Sequence, residues 1–134
     1  GQLVYQAIKN NVGLNAAAVV NTPTDILQLY DDSVDRRKSI FEEKLGGSPA
    51  EVKEKYIAKS PYYWPEKINV PLLIIHPKDS KNVEVDQANK MVKKLDEIGY
   101  DYYETVIKSD MDWEFVITKP IEWIRNKTGI PLKK

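Results

Sequence analysis

Two residues capable of acid–base chemistry stand close together in "LLIIHPKDSKNV", residues 72 to 83. They are His76, the only histidine of the chain, and Asp79. Histidine is the side chain whose ordinary pKa allows proton exchange near neutral pH, so His76 is the first candidate for a general base. The pair is too small a donor set for a metal site, which draws three or four ligands from the protein. Three more acids, Asp110, Asp112 and Glu114, lie in "SDMDWE". They lack the D-x-D-x-D-G spacing of a calcium loop, so a solvated loop is expected there. The aromatic run Tyr62, Tyr63 and Trp64 could stack on a ligand, although such clusters more often close a core edge or an interface. Lysines and acids alternate between 90 and 97, the pattern of a solvated helix face. The chain holds no cysteine, which excludes a thiolate nucleophile, a disulfide and a cysteine-ligated metal. No metal and no cofactor is expected.

The elements that must position these residues are legible from periodicity. "LVYQAIKNN" puts Leu3, Val4, Ala7 and Ile8 on one helical stripe, closed by Gly13. "NAAAVVN", 15 to 21, is a short apolar run that predicts a buried strand. From Asp25 to Leu45 a ragged helical pattern runs to a Gly-Gly stop. "SPAE", 48 to 51, has the capping-box arrangement and predicts a helix to about Ala58. "PLLIIH" is consecutively apolar, as in a strand covered on both faces of a parallel sheet. "EVDQANKMVKKLDEIG" predicts a helix whose stripe is Val85, Ala88, Met91, Val92, Leu95 and Ile98. "DYYETVI", 101 to 107, alternates and predicts a third strand. A loop, "KSDMDWE", then precedes a last helix around "PIEWIRNKTG". The order α-β-α-α-β-α-β-α predicts a parallel α/β sheet with right-handed crossovers.

Composition narrows the partners. A length of 134 residues is one domain's worth, and 42% hydrophobic residues can build a modest core. The formal net charge is zero and the basic residues are interleaved with acids, so neither nucleic acid nor an anionic membrane is an expected partner. The apolar runs are far shorter than the roughly 18 residues of a membrane span. The lack of cysteine fits a reducing, cytoplasmic compartment better than secretion.

Residues 60 to 107 carry a resemblance. "SPYYWPEKINVPLLIIHPKDSKNV", the helix after it and the tyrosine-rich strand resemble the C-terminal part of the prolyl-oligopeptidase-like (peptidase S9) serine hydrolases. Ser60-Pro61, Ile68, Pro71, Ile75, His76 and Val83 fall in that family's register, and "NAAAVVNTPTDILQLY" resembles the strand that follows the nucleophile helix. The resemblance implies an α/β-hydrolase fold. The fold expected for this chain is therefore a three-layer α/β/α sandwich with a short parallel sheet of about three strands. Residues 1–134 would form one partial domain, the C-terminal half of that fold.

The same register implies a degenerate triad. The family's nucleophile turn would end at about Gly1, which leaves the chain without the nucleophile. The position of the family's aspartate, four residues after His76, holds Ser80, with Asp79 one residue early. The glycine after the histidine is replaced by Pro77. Counting back from Phe115, the catalytic histidine's position holds Trp113, and indole cannot accept a proton at neutral pH. His76 itself falls at the strand end, where the family's histidine is structural and bonds its own loop. Ser80 and Trp113 are expected close together at the strand ends, with Trp113 filling the space of imidazole or substrate.

Three functions remain open on these residues. The first is a non-catalytic remnant of a hydrolase, stabilised by self-association. The second is a peptidase or esterase completed by another chain, and the third is a protein-interaction module. For the first, the resemblance makes "NAAAVVN" an interior strand whose neighbour is absent. Asn15–Asn21 would then present an apolar edge without charge or proline to guard it. A two-fold homodimer through this edge is expected, and a proline at Ala17 is expected to disrupt it.

Overall fold

The computed structural model of the chain describes residues 1–129. Three strands, β1 (Ala17–Val20), β2 (Leu72–Pro77) and β3 (Tyr103–Lys108), form one parallel sheet in the order β1-β2-β3. Val19 pairs with Ile74, and Ile74 with Thr105. Leu72 to His76 are all buried, because β2 is the central strand and helices cover both its faces.

One face carries α1 (Gln2–Lys9) and α5 (Asp86–Glu97). Tyr5, Ile8, Ala88, Met91 and Leu95 from these helices pack on Ala17, Val19, Leu72 and Ile74. The opposite face carries α6 (Trp113–Thr128). Trp123, Phe115 and Ile124 there meet Leu73, Ile75, Val106 and the half-buried Ala16, Ala18 and Val20. These are the three layers expected. The connection from β1 to β2 holds α2 (Ile26–Asp31), α3 (Asp35–Leu45) and α4 (Pro49–Ala58), gathered round Ile26, Leu29 and Tyr56.

Four details depart from the sequence reading. The helix expected from Asp25 to Leu45 is two helices, broken at Asp32–Val34. α3 buries none of its residues, so no continuous apolar stripe ties it to α2. On α1 the buried residues are Tyr5 and Ile8, and Leu3 is 85% exposed. On α5 the buried stripe contains Gln87, while Ile98 at its end faces solvent. The last helix starts at Trp113 rather than near Pro120, because Asp112 caps it: its Oδ1 accepts from the Phe115 amide at 2.8 Å. Pro120 sits inside the helix, where it withholds one amide from the ladder but does not end it.

The capping box is as expected. The Ser48 amide donates to Glu51 Oε1 at 3.1 Å, and the bond holds the Glu51 carboxyl below its usual pKa.

Candidate functional site

The C-terminal ends of the three strands are where an open parallel sheet places its chemistry. β1 ends at Val20, and the next residue, Asn21, turns the chain with φ of 51°. Such a φ is uncommon for a residue with a Cβ, and asparagine is one of the few that tolerate it. The Asn21 amide still bonds the Ile75 carbonyl at 2.8 Å, so its side chain is held over the end of β2. There its Oδ1 accepts from the Ser80 hydroxyl at 3.0 Å. Ser80 is brought into range by a tight turn in which its amide bonds the Pro77 carbonyl at 3.2 Å. Pro77 costs the sheet little, since it is the last residue of β2.

His76 is 1% exposed. Its Nε2 lies 2.7 Å from the Val83 carbonyl, which only accepts, so Nε2 carries the proton and donates. Burial pushes the imidazole pKa below its usual range, against the smaller, opposite pull of the Val83 bond. His76 is thus a neutral clasp on the loop from Pro77 to Val83, the structural role expected from the resemblance. Asp79 lies on the outside of that loop, exposed.

A pH dependence follows. The buried imidazole of the folded chain resists protonation, whereas the unfolded one protonates near pH 6.5. Below that pH the unfolded state binds more protons, so stability falls as the solution is acidified. The urea midpoint is expected to drop between pH 7 and 5, and His76→Gln is expected to flatten that slope. Equal slopes in the two proteins would contradict the assignment.

Trp113 is the first residue of α6 and is 78% exposed. The expectation that it fills the space beside Ser80 is not met. The early start of α6 turns the indole to solvent, and Ser80 turns towards β1 and Asn21. The strand ends therefore bring together Asn21, Ser80 and the His76 loop, but they leave Trp113 outside.

The polar group that organises this end of the molecule was not singled out from the sequence. Gln87 is 3% exposed. Its Oε1 accepts from the Thr24 and Asp25 amides at 2.9 and 2.8 Å, and its Nε2 donates to the Asp25 carbonyl at 3.2 Å. Asp25 in turn caps α2 through Gln28 and pairs with Lys90 of α5, whose ammonium also stands 4.5 Å from the Tyr62 ring centre. Ser60 accepts from the Ile26 amide at 2.9 Å and donates to the Tyr56 carbonyl at 2.7 Å. The "TD" and "SP" pairs of the sequence are therefore joints that hold the β1 exit against α4 and α5. The signal for Gln87 was its register: with Met91 and Leu95 it occupies positions i, i+4 and i+8, the buried stripe. The aromatic run is likewise mostly structural, with Trp64 buried and its indole N–H on the Ile57 carbonyl.

Among the described residues no group of His, Asp and Glu side chains could hold a metal ion, and no helix is long and apolar enough to cross a membrane.

The model of the BD-FAE family matches residues 2–95. The chain belongs to the BD-FAE family. A curated relative, the "Uncharacterized peptidase YtmA" of Bacillus subtilis (strain 168), is 24% identical over 110 residues, which are 78% of this chain and 42% of YtmA. Among solved structures, an acylaminoacyl peptidase in complex with Z-Gly-Gly-Phe-chloromethyl ketone superposes with a TM-score of 0.69 at 19% identity. It covers 94% of this chain and 20% of its own length. The Pyrococcus horikoshii acylaminoacyl peptidase gives 0.66 at 19% identity, covering 95% of this chain and 20% of its own. The likeness to the solved structures shows a three-stranded part of the α/β-hydrolase fold, and the chain is similar to peptidase-like hydrolases. This BD-FAE member spans less than half the length of these relatives.

Proposed function

We propose that this chain is a non-catalytic module of the hydrolase fold that works by associating with a second copy of itself along β1. The observation that carries the first half is the hydrogen bonding at the strand ends. Acyl transfer by a serine hydrolase needs a hydroxyl, a base and an orienting carboxylate within mutual reach. Here the ring of the only histidine is bonded to a carbonyl, the Ser80 hydroxyl is bonded to an amide side chain, and Trp113 faces solvent. Other serines are engaged as structural partners: Ser33, just past α2, bonds the Leu29 carbonyl of that helix, Ser39 bonds the Asp35 carbonyl of its own helix, and Ser60 is buried between two backbone groups.

The second half rests on β1, whose outer edge has no strand beside it among the described residues. The competing reading, a peptidase or esterase completed by another chain, draws on the same edge and differs in outcome. The pure chain is expected to remain unlabelled by a fluorophosphonate probe and to sediment with twice its chain mass. Covalent labelling at one serine, in the pure protein, would sink the non-catalytic reading; a single-chain mass would sink the association.

A further inference from the structure

We infer that α3 is a hinged strap, clasped by Arg37 to the loop that leaves β2, and that it opens as a unit to widen the crevice beside the strand ends. α3 is held unevenly. It buries none of its residues. Its apolar grip is Phe41 and Leu45, half-buried against Ile26, Leu29 and Tyr56, and both lie in its second half. From its first half Arg37 reaches out of the crossover, and its Nη1 donates to the Asn82 carbonyl at 2.7 Å. The same guanidinium stands 5.9 Å from the Phe41 ring centre, which joins the clasp to the apolar grip. Both ends of α3 can bend. The break at Asp32–Val34 precedes it, and Gly46 follows with φ of 85°, a conformation that glycine adopts without the cost of a Cβ. A helix of 11 residues is marginal in water by itself, so α3 melts when it undocks.

The clasp completes the hold on one loop. Residues 77 to 83 are tied at one end by His76 Nε2 on the Val83 carbonyl and in the middle by the Ser80 hydroxyl on Asn21. Arg37 on Asn82 is the third tie, and the one that lies in water. Between the loop and the crossover is a cavity of about 50 Å³, lined by Leu29, Ser33, Arg37, Lys81, Asn82 and Gln87 among others. That is room for one or two waters. The cavity adjoins the C-terminal ends of the strands, where an open parallel sheet takes its ligands, so opening of α3 is what admits a larger molecule there. Hinge, clasp and cavity are all built from residues 29 to 87, so the device is complete within the crossover, β2 and the start of α5.

Native-state hydrogen exchange of the whole chain, read amide by amide in low urea, tests the strap. The amides from Lys38 to Leu45 are expected to share one opening free energy, smaller than that of α5. Arg37→Gln is expected to speed exchange of those amides, and of the Ser80 amide, about tenfold, with α5 and the thermal midpoint unchanged. Lys38 stands over the Tyr30 ring rather than the loop, so Lys38→Gln is expected to leave the Ser80 amide as it was. Exchange of α3 only with global unfolding would overturn the opening. A smooth gradient of exchange from its ends inward would mean fraying in place of a unit, and would overturn it too. Unchanged Ser80 exchange in Arg37→Gln, or an equal rise in Lys38→Gln, would overturn the clasp.

Discussion

Gln87→Ala is expected to lower the unfolding free energy by about 3–5 kcal/mol, a large share of the roughly 5–15 kcal/mol that a domain has. The size comes from what the truncation strands rather than from what it removes. The Gln87 carbonyl oxygen is the acceptor for two consecutive amides, Thr24 and Asp25, in a region closed to water. Each buried donor left without an acceptor costs about 1–3 kcal/mol. The lost bond to the Asp25 carbonyl and the emptied space beside it add to this. Urea titration should show a lower midpoint with an unchanged slope. A loss under about 1 kcal/mol for Gln87→Ala would mean that the β1 exit is held by other contacts, Ser60 and Lys90 first among them.

That residue also marks where sequence reasoning stopped. "LLIIH" was legible as a doubly covered strand because five consecutive apolar or buried residues have no other use in a chain of this size. "SPAE" was legible because a capping box is a local device, complete within four residues. The family register placed His76 at a structural strand end, and its bond to Val83 agrees. Gln87 was not legible as a hub, because a polar side chain in an apolar stripe looks like noise until the two amides it satisfies, more than sixty positions away in the chain, are folded against it. Asn21 was missed for a similar reason: its value lies in a left-handed turn and in reaching Ser80. The start of α6 was misplaced because "KSDMDWE" was read as a loop, whereas Asp112 within it is the cap. The shift of one helix start moved Trp113 from a supposed pocket to the surface.

Ala18→Pro is expected to dissociate the proposed dimer while leaving the monomer folded, whereas Ala17→Pro, which the sequence alone marked as the variant to disrupt that dimer, is expected to damage the fold itself. The distinction follows from the alternation of a parallel ladder. The Ala17 amide bonds the Pro71 carbonyl at 2.9 Å and the Asn21 amide bonds the Ile75 carbonyl at 2.8 Å, so odd-numbered residues of β1 face β2. Ala16, Ala18 and Val20 then turn their backbone groups to the open edge. Part of that edge is already guarded, since the Thr22 hydroxyl donates to the Val20 carbonyl at 3.0 Å. Ala18 is left as the free centre, with its amide and carbonyl both outward. An antiparallel two-fold through Ala18 pairs it with its own mate and pairs Val20 with Ala16. Proline at 18 removes the donor used twice at that axis and puts a ring where the second chain must approach. The expected weakening is about 3 kcal/mol, near a hundredfold in the dissociation constant. The thermal midpoint of the dilute, monomeric chain should barely move. Proline at 17 instead breaks a bond to β2, the central strand, and should lower the midpoint at every concentration. A dimer that survives Ala18→Pro at full strength would show that β1 is not the seam.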